Sequence, residues 1–220
     1  METIKKSTLD FLTGIKLNNN RDWFIGNRPR YLDAKENFES FVQDIINKII
    51  LFEPVMNGLE AKSCVYRINR DIRFSNDKSP YKSHFGAFIV RGGKKNGDKF
   101  AGYYFHIEPG KSIMAGGAYS PPSPWLSAIR EKISDTPEEF TKITIAKDFI
   151  KYFGKVDGEK LKTAPKGYPK DHPQIELLKL KSYLVVNEAS DKMVLSNSFF
   201  DHVADVFRTM KPLNDYLNNY

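Results

Sequence analysis

Tyr31, Ala34, Phe38, Phe41, Ile45 and Ile49 recur at steps of three or four, the spacing of one apolar face of an α-helix. Asn27 is placed to cap that helix, Pro29 sits in its first turn, and Pro54 with Gly58 closes it. An earlier helix is predicted after Ser7, with Asp10 three residues on to meet its free amides and Leu9, Leu12 and Ile15 on its buried face. Asn18, Asn19 and Asn20 end it, and residues 21–24 read as a short aromatic turn. Beyond residue 60 the apolar spacing changes to two. Residues 64–68 read as a strand, and residues 84–91, 100–108 and 112–116 as three more. A Gly-rich loop at 92–98 and a tight turn at 108–111 join the last three, which predicts an antiparallel meander.

The C-terminal half returns to helical spacing. Ser123 and Pro124 open a helix through Trp125, Ile129 and Ile133, and Thr136 to Glu139 has the form of a capping box opening another past Phe140 and Ile143. Residues 154–173, rich in Gly, Pro and Lys, read as a long surface loop. A helix near 174–179, a strand near 183–186 and a terminal helix through Phe199, Val203, Phe207 and Met210 complete the chain. The expected fold is α+β: one domain over residues 1–220, an antiparallel sheet with helices packed against it.

Composition adds three bounds. At 220 residues with 40% hydrophobic content the chain can bury a proper core. The single cysteine, Cys64, excludes an internal disulfide and argues against a cysteine-rich zinc site. No leader-like start and no bilayer-length apolar run is present, so the expected address is the cytoplasm, without membrane contact. A net charge of +7 permits a polyanionic partner and equally suits a solubilising surface.

Candidate chemistry concentrates in residues 67–82. Arg67, Arg70, Arg73, Lys78 and Lys82 are offset within the segment only by Asp71 and Asp77, a formal balance of +3. Ile68, Ile72 and Phe74 are interleaved as if to press the arginine stems onto a core, so the guanidinium heads are expected to be paired. Arg offers a planar fork to phosphate or carboxylate, Lys a point charge, and Tyr81 could assist. An anion site and an ion-pair network that pins the loop both fit.

The pattern R-x-x-R-D-x-R-F-x-x-x-K-x-P-Y-K, complete from Arg67 to Lys82, resembles the signature of the DUF2461 family, bacterial chains near this length that also occur in some fungi. Residues 18–24, 103–117 and 166–169 also look like segments of that family. The resemblance implies no activity, so the chemistry must come from the residues.

In a strand, Tyr104, His106 and Glu108 share one face while Tyr103, Phe105 and Ile107 take the other. A His and a carboxylate so placed can orient a proton-transfer pair, although a His on a sheet is commonly structural. The four histidines, His84, His106, His172 and His202, lack metal-ligand spacing such as H-E-x-x-H, so no metal site is expected. No nucleotide-binding glycine motif or nucleophile elbow appears, so no cofactor is expected and catalysis stays open. The favoured reading is a site for a small phosphate- or carboxylate-bearing ligand, enzymatic or not. Its rival is nucleic-acid or other polyanion binding, with the lysines of 147–170 and Tyr152, Phe153 and Tyr168 as backbone and stacking contacts.

Overall fold

The period-two segments pair as expected. In the computed structural model, which describes residues 2–73 and 76–219, β1 (Phe85–Ile89), β2 (Gly102–Ile107), β3 (Ser112–Ala118) and β4 (Tyr183–Ala189) form one antiparallel sheet in the order β1-β2-β3-β4. The pairing sets Phe105 opposite Ala87 and Met114, and Tyr104 opposite Phe88 and Ala115. Tyr103, Phe105 and Ile107 are fully buried, so the odd residues of β2 take the core face.

Helices cover that face. The chain opens with α1 (Lys6–Leu17), α2 (Arg21–Gly26) and α3 (Arg28–Ile50). Ala34, Phe38, Phe41, Ile45 and Ile49 of α3 are buried, and Phe38 stacks on Phe85 and Phe105 at 5.3 and 5.6 Å between ring centres. After β3 come α5 (Ser123–Asp135), α6 (Pro137–Thr144), α7 (Lys147–Phe153) and α8 (Ile175–Leu178); after β4, α9 (Asp191–Val194) and α10 (Phe199–Asn218). The helix preceding β1, α4, is the single turn Ala61–Cys64. Helix α10 lies across β3 and against α3, which gives an α+β domain with a two-layer core. Among the described residues, no helix is long and apolar enough to cross a membrane.

Several local expectations fail for identifiable reasons. Residues 64–68 are not a strand: α4 occupies the start, with the Ala61 amide donating to Gln43 Oε1, and only Val65 bridges to Ala87. Residues 21–24 lie in helix α2, capped by the Asn20 side chain, which accepts from the Trp23 amide. The side-chain caps of Ser7, Ser123 and Thr136 do not form: Ser7 and Ser123 lie inside their helices, and the Thr136 hydroxyl donates backward to Lys132 O. Asp10 instead pairs with Lys6. The long loop is tied to β4 by an isolated bridge, Asp157 to Leu184, and to the segment ahead of β4 by another, Lys160 to Leu180.

Candidate functional site

The segment 67–82 folds back on itself ahead of β1. The Arg70 amide donates to Pro80 O at 2.9 Å and the Lys82 amide to Ile68 O at 2.8 Å, closing a narrow hairpin around the loop 71–79. Ile68 and Tyr81 are buried at its base. The α1–α2 junction grips that base: Asn19 Nδ2 donates to Tyr81 O at 2.9 Å, and the Tyr81 amide donates to Asn19 Oδ1 at 3.0 Å. Phe24 stacks on the Tyr81 ring at 4.1 Å. The asparagine-aromatic segment and the charged segment are therefore one structural device. Asn19→Ala strands both backbone groups and is expected to cost about 1–3 kcal/mol in denaturant unfolding. A loss under about 0.5 kcal/mol, the range of an ordinary surface change, would argue against the clamp.

The cations of the segment do not converge as a set of five. Asp71 accepts from Arg73 Nε and Nη2 at 3.0 and 2.7 Å, and chiefly that hydrogen bonding lowers its carboxyl to about 2. Asp77 Oδ1 accepts from the Ser79 amide and hydroxyl, the expected turn chemistry, while Oδ2 lies 3.2 Å from Arg70 Nη2. Lys78 Nζ donates to Ile72 O. Arg67 and Arg73 are exposed and Ile72 is 41% exposed, contrary to the expectation that all three arginine stems would be held on a core. The reason is local. Asp71 and Arg73 satisfy each other inside the loop, in water, and need no apolar support. Phe74 lies outside the described residues.

Arg70 is the half-buried one of the three, and its Nε is buried with no hydrogen-bond partner. Lys82 emerges beside it. Its ammonium donates to Arg67 O at 2.9 Å and sits 5.4 Å from the centre of the Tyr66 ring. Burial, then the charges of Arg67 and Arg70, lower the Lys82 pKa. Two arginines thus stand behind one lysine, and Asp77 is an ion-pair partner of Arg70.

Lys82 borders a cleft of about 750 Å³ on the sheet face that the α3 and α10 layer leaves open. Phe88, Tyr104, Ala115 and Val186 contribute to its floor, and Tyr66, Lys94, Lys95 and Asp98 join Lys82 in lining it. A hollow of similar size, lined by Lys132, Lys142 and Arg208, lies on the helical side, where Glu139 and Asp148 offset those charges.

The expected side-by-side placement of Tyr104, His106 and Glu108 is present on this open face. The Tyr104 hydroxyl is 3.0 Å from His106 Nδ1, and His106 Nε2 is 3.3 Å from Glu108 Oε2. The Ser83 hydroxyl donates to Glu108 Oε1 at 2.8 Å. These contacts suit a neutral His106 with its proton on Nε2, donating to Glu108 and accepting from Tyr104. Burial raises the Tyr104 hydroxyl to about 12 and lowers His106. Burial also works to raise Glu108, but hydrogen bonds from Ser83 and His106 outweigh it and hold the carboxyl below its usual range.

His84 is the residue that sequence spacing missed. Gly86, directly opposite His106, presents no side chain, and the His84 ring stacks on His106 at 4.2 Å between centres. Burial, then His106, lowers His84 to about 4, so it is neutral near pH 7. The ligand atoms of His84, His106 and Glu108 lie within 4.8 Å of one another. The available signal was parity alone: residue 84 shares the outer face with 86 and 88 across from 106.

The fold and the site define a class: an α+β domain whose meander is covered by helices on one face and carries a cation-edged cleft on the other. Within that class the chain belongs to the DUF2461 family, described as a conserved hypothetical protein, whose family pattern matches residues 7–216. No curated protein and no solved structure matches the chain.

Proposed function

We propose that the open-face cleft binds a small anionic molecule, its phosphate or carboxylate against Lys82 and its apolar or planar body over Phe88, Tyr104 and Ala115. The observation that carries this reading is Lys82 at the cleft edge with Arg67 and Arg70 behind it, Arg70 paired with Asp77, Arg67 near Asp71, and both arginine charges acting on Lys82. An anion there relieves their mutual repulsion and gains charge-assisted hydrogen bonds. Lys94 and Lys95 extend the positive edge. This narrows the sequence expectation, because Arg73, Lys78, Asp71 and Asp77 now serve to shape the loop. The Tyr104 hydroxyl, backed by His106 and Glu108, is the group on the floor able to hand a proton to or from the bound molecule.

Thermal unfolding with a panel of phosphate- and carboxylate-bearing small molecules tests the reading. At least one is expected to raise Tm, Lys82→Ala to remove the shift, and Arg73→Ala to retain it. If no member of the panel shifts Tm, or if Lys82→Ala leaves the shift intact, the cleft is not the site. A single-stranded oligonucleotide should bind weakly at physiological salt. Tight binding, with log K falling steeply against log salt and unmoved by Lys82→Ala, would place the protein among polyanion binders instead.

A further inference from the structure

The geometry points to a divalent metal site formed by His84, His106 and Glu108, suited to zinc or a similar first-row ion. It uses none of the cations of the anion reading, although His106, Glu108 and Tyr104 belong to both. Sequence spacing gave no reason to expect a metal, because the three ligands come from the segment before β1, from β2 and from the turn that follows it.

Three observations carry it. First, two imidazoles and a carboxylate are the donor set that zinc accepts in open, three-ligand sites. With zinc–ligand bonds of about 2.0–2.1 Å, two ligands of a tetrahedral ion stand roughly 3.3–3.4 Å apart. His106 Nε2 and Glu108 Oε2 are 3.3 Å apart. That edge of the tetrahedron is already set. The third ligand is near but not yet closed, since the full set spans up to 4.8 Å.

Second, His84 is free to close it. Among the described residues its ring nitrogens take part in no hydrogen bond, and its ring already lies over His106. A rotation of the His84 side chain therefore breaks no polar contact.

Third, the surrounding groups orient the ligands as a metal site requires. Ser83 holds the Glu108 oxygen that does not face His106, and Tyr104 meets the far nitrogen of His106. With a metal bound, His106 would take its other neutral tautomer: the ring proton moves from Nε2 to Nδ1, and the freed Nε2 lone pair faces the ion. Nδ1–H then donates to the Tyr104 oxygen, and the Tyr104 hydroxyl proton turns away from His106. Lys16, whose Nζ is 3.9 Å from Glu108 Oε1, partners the oxygen away from His106. Three protein ligands leave a position for water or for an oxygen of a molecule in the cleft that His84 lines.

The test is titration of the chelator-treated full chain with zinc alone by calorimetry, and with cobalt(II) followed by its visible ligand-field absorption, with no added anion. One equivalent is expected to bind, with an absorption intensity typical of a four-coordinate ion. His84→Ala, at the foot of an intact strand, should weaken binding more than about 100-fold, and Ser83→Ala about 10- to 100-fold. Absence of stoichiometric binding by the parent chain would overturn the inference without need of any variant. So would binding that His84→Ala leaves unchanged, which would place the ion elsewhere. Zinc binding without any Tm shift from the anion panel would support the metal site and defeat the anion reading alone.

Discussion

Gly117→Ala is expected to destabilise the protein by about 2–6 kcal/mol. A Cβ at this position would stand 2.0 Å from Tyr183 O, a backbone atom of the neighbouring strand that no rotamer change can move. Its φ of +110° is also a conformation that side-chain-bearing residues rarely adopt. Backbone strain of about 1–3 kcal/mol and overpacking of about 1–3 kcal/mol act together here. The adjacent Gly116 separates the two contributions. Its Cβ would also be overpacked, against the Met210 sulfur at 2.1 Å and the backbone Gly102 O at 2.5 Å, but its φ is not positive, so the backbone strain of Gly117 is missing there. Urea unfolding should therefore rank Gly117→Ala as the more damaging change. A Gly117→Ala protein within about 0.5 kcal/mol of the parent would show that β3 and β4 do not approach as described.

Phe41→Ala should cost about 3–5 kcal/mol, lowering Tm by roughly 6–20 °C for a domain of this size. Phe41 is fully buried and joins three elements. Its ring lies 5.3 Å from Phe105 of β2 and 5.7 and 5.9 Å from Phe199 and Phe200 of α10. Truncation removes apolar burial and leaves a hole between a sheet and two helices, which cannot all close on it. Phe41→Leu keeps most of the volume and should lose well under half as much. Equal losses for the two variants would mean that ring packing is not what joins α3 to α10.

The parts of the fold legible in the sequence are those where one face meets a core and the other does not. Phe38, Phe41 and Ile45 announce α3 because a helix with a single buried stripe must repeat its apolar residues at its own period. Tyr103, Phe105 and Ile107 announce β2, and through it the polar face of Tyr104, His106 and Glu108, for the same reason. What stayed hidden depended on partners distant in the chain. The side chain of Gln43, not a local signal, helps fix the turn at Ala61. Lys147–Phe153 forms α7 with only Phe149 buried, too little to show as a period. The charged segment was conspicuous, but its charges suggested one converging cluster. Its short-range pairs, Asp71 with Arg73 and Asp77 with Ser79, could be placed only once the loop had a path. His84 joins His106 and Glu108 by cross-strand register, which linear spacing does not encode.

The isolated bridges on either side of the sheet bear on self-association. A bare outer strand offers unpaired amides and carbonyls to any second chain and is a common start of edge-to-edge aggregation. Here Val65 takes up Ala87 on β1, and the Asp157 amide and carbonyl both pair with Leu184 on β4. Each flank is plugged by an irregular stretch of the same chain, too short and too bent to pass the pattern on to another copy. Each outer strand is thus interrupted partway along its length, which shortens the run of edge that strand addition by a second copy could use.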